Sequence, residues 1–188
     1  MNDALFPRPG HTALVIVDVQ ERLIPALPAT RARAVVRSCT TLVRLADELG
    51  WPVVATEQYP KGLGPTVPEL ASALSDVGVD PIEKIHFSAC REPAFAETVQ
   101  PTLPSGVIVA GIEAHVCVLQ TVADLQARGH QVFVPADAVA SRTDENRANG
   151  LDLAARAGAV VTNVESLLFF GLQRAGTDAF RRLAPLIR

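Results

Sequence analysis

Short apolar, β-branched runs alternate along this chain with longer stretches in which apolar residues recur every three or four positions. That is the rhythm of strand followed by amphipathic helix. Thr12 to Val17 is the first such run. After it, Ala32, Val35, Val36, Cys39, Leu42, Val43, Ala46 and Leu49 share one helical face, which predicts a helix over residues 31–49. Gly50 then stops the helix, Pro52 follows, and Val53 to Thr56 reads as the second strand. The same order of helix, glycine and strand recurs at Arg128, Gly129 and Gln131 to Val134, and again at Ala157, Gly158 and Ala159 to Thr162. Between them Gly106 to Gly111 is apolar on both faces, as a central parallel strand must be, and a helix is expected from Val116 to Arg128. The pattern predicts an α/β fold: a doubly wound, mostly parallel, six-stranded sheet with helices on both faces, Rossmann-like in outline. Tyr59 to Pro81 breaks the rhythm with Pro60, Gly62, Gly64, Pro65 and Pro68, and reads as a loop lying over the sheet.

Composition narrows what such a fold does. At 188 residues and 48% hydrophobic content the chain supports one substantial core, hence a single domain over residues 1–188. The 17 basic and 20 acidic residues, net −3, are spread along the whole length, so no basic stripe addresses phosphates or lipid, and neither nucleic acid nor membrane is expected as a partner. No apolar run approaches the roughly 20 residues of a membrane span, and the N-terminus lacks the basic start and apolar stretch of a signal peptide. Cys39, Cys90 and Cys117 form no CxxC pair, and an odd number cannot all pair within one chain, which favours a reducing, cytoplasmic setting. No GxGxxG or Walker pattern follows the first strand, so no nucleotide cofactor is expected.

In an open parallel sheet, ligands bind beyond the carboxyl ends of the strands. Asp18 closes the first strand, Lys84 sits in the short run Glu-Lys-Ile-His-Phe, and Cys117 follows the central strand. A cysteine at a helix start gains thiolate character from the exposed N–H groups there and becomes a nucleophile; a buried, inert cysteine is the alternative. Asp18 needs a partner if buried, and Lys84 supplies one if their strands are neighbours, which by itself is only a structural ion pair. A cysteine at the same edge changes the meaning, because the aspartate can accept its proton while the lysine favours both anions.

These segments carry a resemblance. Val17-Asp18-Val19-Gln20, Glu83-Lys84 with Phe87-Ser88-Ala89, Gly111-Ile112-Glu113-Ala114-His115-Val116-Cys117-Val118, and the run from Pro135 to Thr143 are similar to the signatures of the isochorismatase-like cysteine hydrolases, in their isochorismatase domain-containing subgroup. The resemblance implies a catalytic trio of Asp18, Lys84 and Cys117. In it the aspartate takes the thiol proton, and the thiolate attacks a carbonyl or imine-like carbon to give a covalent intermediate that water releases. It also implies a cis peptide between Ile112 and Glu113 that turns backbone N–H groups, including that of Cys117, toward an oxyanion. Nicotinamidases of the family bind a metal through an Asp-x-His and a further histidine after the second strand. Here that stretch is Thr56-Glu57-Gln58-Tyr59-Pro60, with no histidine between His11 and His86, so no metal is expected. The reading that follows is a metal-independent hydrolase of a small amide or related carbonyl compound. Enol-ether hydrolysis of isochorismate fits less well, because that branch often lacks the cysteine. A noncatalytic binding or assembly protein on the same fold, nicotinamidase-type activity and a redox thiol are the alternatives.

Gln20, Gln58, Tyr59 and Phe87 flank strand ends and are candidates for the pocket wall, each equally readable as loop or core packing. His115, two residues before Cys117, is a candidate of the same kind, and His86 shares a face with Lys84 on a continuing strand. His11 and His130 read as surface residues, Cys39 as structural, and Cys90 has no assigned place. The family resemblance further implies a homo-oligomer, dimer or tetramer. Ser166 to Leu172 with Leu183, Leu186 and Ile187 is a candidate interface, and the chain ends, Met1 to Gly10 and Thr177 to Arg188, are candidates for packing on a neighbouring subunit.

Overall fold

The computed structural model describes residues 5–8 and 10–187. Its strands are β1 (Thr12–Val17), β2 (Val53–Gln58), β3 (Ile82–Lys84), β4 (Gly106–Ile112), β5 (Gln131–Pro135), β6 (Val139–Ala140) and β7 (Val160–Thr162). They form one sheet in the order β3-β2-β1-β4-β5-β7, with the two-residue β6 pairing β4 beyond the end of β5, and every strand pair is parallel. The expectation of six strands is met along the main path; β6 is the seventh, too short to leave a periodic trace.

Alternation along the central strands builds the two layers. Every residue of β1 and β4 is buried, yet Leu14, Ile16, Ile108 and Ala110 belong to one core cluster while Val15, Val17, Val107 and Val109 belong to the other. The first is covered by α1 (Ala29–Glu48), α3 (Pro68–Asp76), α7 (Val164–Leu172) and α8 (Asp178–Leu183). The second is covered by α4 (Pro93–Thr98), α5 (Leu119–Ala127) and α6 (Asp144–Arg156). Fully burying one Val or Leu side chain is worth about 1.5–3 kcal/mol, so a strand apolar on both faces is stable only between two such layers.

Three expectations need correction. Residues 59–81 are not a bare loop. They contain α2 (Pro60–Leu63) and α3, whose Leu70, Ala73 and Leu74 join the core; Pro60 and Pro68 open these helices, where a missing N–H costs nothing. The helix foreseen over residues 116–128 is divided into a π turn, Ala114–Val118, followed by α5. Most of the apolar C-terminal stretch serves its own chain's core, where Leu167, Leu168, Leu172 and Leu183 are buried and Leu186 and Ile187 pack against it, while Phe169 stays exposed. Of the chain ends, residues 1–4, 9 and 188 lie outside the described residues. Phe6 stacks on Phe170, so the N-terminal segment packs on α7.

Candidate active site

Register brings the three residues to one edge. Val17 is level with Thr56 on β2 and with Gly111 on β4, while Gln58 is level with Lys84 on β3. Asp18 therefore leaves β1 at the carboxyl edge, and it does so in the left-handed region, at φ 54°. The neighbouring strand must come very close at this point. A Cβ on Gly111, itself at φ 121°, would sit 2.0 Å from the Val17 carbonyl oxygen, so this position takes only glycine. Beyond it the Ile112–Glu113 peptide bond is cis, and the chain enters the π turn that carries Cys117.

The Asp18 and Lys84 side chains are both fully buried and joined by an ion pair of 2.7 Å between Lys84 Nζ and Asp18 Oδ2. Thr56 Oγ1 donates to Asp18 Oδ1 at 2.8 Å, and the Cys117 thiol donates to the same carboxylate group. Lys84 Nζ donates further to Gln58 Oε1 at 2.7 Å and to the carbonyls of Phe87 and His86 at 3.1 and 3.3 Å. Its ammonium is thus held entirely by the protein, and it reaches Cys117 through Asp18.

Burial raises the Asp18 carboxyl above the ordinary carboxylate range, against the pull of Lys84 and of its hydrogen bonds. Burial, with the Asp18 charge next in weight, pushes the Cys117 thiol up to about 12; Lys84 and a backbone hydrogen bond from Glu113 act the other way. This overturns the helix-start argument for a preformed thiolate. Cys117 lies inside the π turn, ahead of α5, rather than at the start of a helix. Both shifts favour a thiol hydrogen-bonded to the Asp18 carboxylate.

The pocket-wall candidates divide. Gln20 is buried with its amide fully engaged: Nε2 donates to the carbonyls of Gln58 and Gly64, and Oε1 accepts from the Gln58 N–H. Gln58 is likewise committed, to Lys84 and to the Ile85 carbonyl. Both brace the scaffold at this edge; Gln20 has both amide N–H groups engaged, while Gln58 is partly buried and keeps one amide N–H beyond these bonds. Phe87 offers its carbonyl to Lys84 while its ring is exposed. Tyr59, left-handed at φ 39°, lines an outer groove of about 320 Å³ with Pro60, Lys61, Glu83, Lys84, Ile85 and Glu92 rather than with Cys117. His115 bonds Ser141 Oγ through Nδ1 at 3.0 Å, His86 pairs with Glu92 at 3.1 Å, and His130 Nδ1 meets the Pro104 carbonyl. Glu57, in the stretch that carries metal ligands in nicotinamidases, is occupied by the Thr66 N–H and hydroxyl. Cys39 and Cys90 are buried and free, their thiols raised by burial.

Sequence reasoning missed Thr56, and it missed Gly150. A Cβ on Gly150 would come within 2.7 Å of the Ala114 carbonyl carbon and oxygen and 2.8 Å of the His115 nitrogen, so its bareness lets α6 seat the Cys117 turn. A glycine inside a helical pattern was the available signal.

The isochorismatase domain model matches residues 12–166, from β1 into α7, a span that includes Asp18, Lys84 and Cys117. The chain belongs to the isochorismatase family. Among similar curated proteins, the secreted isochorismatase effector Isc1 of Phytophthora sojae is 37% identical, over 96% of this chain and 86% of its own length. Human isochorismatase domain-containing protein 2 is 36% identical, over 96% and 84%. A solved structure described as the MAR1 ribonuclease of Caenorhabditis elegans superposes with a TM-score of 0.87 at 35% identity, covering 97% of this chain and 92% of its own. Isochorismatase-family proteins are generally hydrolases, and the parallel sheet with helices on both sides is their fold.

Proposed function

We propose that this isochorismatase-family chain, as one hydrolase domain, cleaves a small amide or related carbonyl substrate with Cys117 as nucleophile, Asp18 as general base and Lys84 as the positioning residue that keeps Asp18 in place. The observation that carries the proposal is the Cys117 thiol donating to a buried carboxylate that is itself locked to a buried lysine. The proton passes from Sγ to Asp18 as the S–C bond forms; the carboxylic acid then protonates the leaving nitrogen as the C–N bond breaks. Water attacks the thioester, Asp18 takes its proton, and the acid product leaves as the proton returns to the departing sulfur. A raised carboxyl suits both halves, since a base closer to neutrality is also a better acid. The Cys117 N–H in the π turn is the donor for the oxyanion; Val116 and Val118 donate to the Glu113 carbonyl instead.

The test is turnover across a panel of small amides including nicotinamide, with isochorismate and an RNA oligonucleotide added because relatives are described as an isochorismatase effector and a ribonuclease. Burial of the trio and a net charge of −3 favour the amides over the polyanion. Hydrolysis by wild type with a covalent adduct on Cys117 in intact mass, absent in Cys117→Ala, is expected. Turnover unchanged in Cys117→Ala ends the proposal, and ligand binding without any turnover favours the noncatalytic reading. Three free, buried cysteines support a cytoplasmic setting, to be checked by cell fractionation. Tyr59, Ile85 and Phe87, exposed and apolar at the carboxyl edge, support a homo-oligomer, which a monomeric mass by light scattering would remove.

A further inference from the structure

Glu113 places a carboxylate where the fold would favour an apolar or small side chain. It follows the end of β4, precedes the π turn, and has Ala114, Cys117 and Val118 buried around it in sequence. Its side chain is only 10% exposed. Oε1 takes the Nε–H of Arg142 at 2.8 Å; Oε2 lies 3.5 Å from His115 Nδ1 and has no hydrogen-bond partner among the described residues. A buried carboxylate with a half-unused acceptor set is costly, so its retention asks for a reason.

The backbone supplies one. The Glu113 carbonyl accepts the N–H groups of Val116 and Val118 at 3.1 and 3.2 Å, and its own backbone is hydrogen-bonded to the Cys117 thiol. One residue thus ties both ends of the turn to the nucleophile. The side chain anchors that residue to a different element. Ala140 pairs with Ile112 across β6 and β4, and the chain continues from there into Ser141 and Arg142, which hold His115 and Glu113. Arg142 itself is 61% exposed, so the pair is fixed from its Glu113 end.

We infer that the Glu113–Arg142 ion pair is a positioning device for Cys117, resting on the hydrolase reading: it clamps the turn to the segment after β6 and keeps the Glu113 backbone donor on the sulfur. Neither side chain needs to touch substrate. For Glu113→Gln the clamp and a mere nearby charge predict opposite signs. Removing a negative charge near a thiol makes it easier to ionise. Releasing a backbone donor makes it harder.

The experiment is the rate of carbamidomethylation of Cys117 by iodoacetamide at pH 8, read by peptide mass spectrometry, with Cys39 and Cys90 in the same digest reporting any unfolding. Glu113→Gln and Arg142→Met should each slow Cys117 about tenfold, the loss of one charge-assisted hydrogen bond. Arg142→Lys should stay near wild type. The double variant should be no slower than the slower single, because the two side chains act as one unit. Single variants that match or exceed the wild-type rate, or a double variant equal to the product of the singles, overturn the clamp. Should Glu113→Gln fold poorly, Arg142→Met read at low and at 1 M salt keeps the test open: salt screens the loss of an exposed charge but not the loss of a backbone donor, so slowing that high salt abolishes overturns the clamp. Turnover is scored separately. Slowed alkylation in a chain that hydrolyses nothing removes the hydrolase reading and leaves the clamp, whereas a hydrolase with unslowed variants does the reverse.

Discussion

At the scale of single residues, Cys117 is held by two neighbours of opposite effect. The Asp18 charge raises its thiol and Lys84 lowers it, with Asp18 the larger influence. Asp18→Asn should therefore speed alkylation of Cys117 at fixed pH severalfold, while turnover falls by about 10²–10⁴, the usual worth of a general base. Lys84→Met should slow both reactions and also lower the melting temperature, since stranding one partner of a buried ion pair costs about 3–5 kcal/mol. Turnover that stays within a few-fold of wild type in Asp18→Asn would mean that the aspartate does not act as the base. The three residues could be picked out because Asp18 and Lys84 close strands at the ligand-binding edge and Cys117 follows the central strand. The thiol's resting state could not. It depends on desolvation, which sequence does not display, and on a π turn in place of the helix start that periodicity suggests over residues 116–128.

Elements carry the precision of the site. The amphipathic stripe of α1 and the doubly apolar β4 announce themselves in sequence, and the bounds found, Ala29–Glu48 and Gly106–Ile112, sit within two residues of the pattern. What the pattern hid were short pieces: α2 and α3 behind a proline-rich composition, and the two-residue β6 that brings Arg142 to Glu113. Gln20 and Gln58 looked like pocket residues because they flank strand ends; only the three-dimensional hydrogen bonds show that both brace the scaffold. Close approach between α6 and the Cys117 turn gives the element-scale prediction. Gly150→Ala adds helix propensity worth about 1 kcal/mol. It also drives a methyl into the Ala114 and His115 backbone. The turn must move, so kcat/KM should fall at least about tenfold. Wild-type kcat/KM with a higher melting temperature would show that the contact is slack.

Across the whole molecule, the three thiols make stability depend on alkaline pH. In the unfolded chain each ionises near about 8.5. In the folded chain burial raises Cys90 to about 11 and Cys117 to about 12, and raises Cys39 as well. Between those limits the native state binds more protons than the unfolded one, so stability is complete below about pH 8.5 and declines as pH rises. Each thiol costs about 2 kcal/mol by pH 10, one and a half units past its unfolded value. Three together cost about 6 kcal/mol, within reach of the whole folding free energy of an ordinary domain, about 5–15 kcal/mol. Unfolding free energies from urea titrations at pH 7.5 and pH 10 should differ by most of that amount, and Cys39→Ala should shrink the difference by about a third. This dependence belongs to the fold rather than to the chemistry, because Cys39 and Cys90 contribute to it from outside the site. A midpoint that stays level across the range would mean that the sulfur atoms meet water in the folded chain. The packing of α1 and α5 against the sheet, which buries them, would then be looser than the two apolar clusters require.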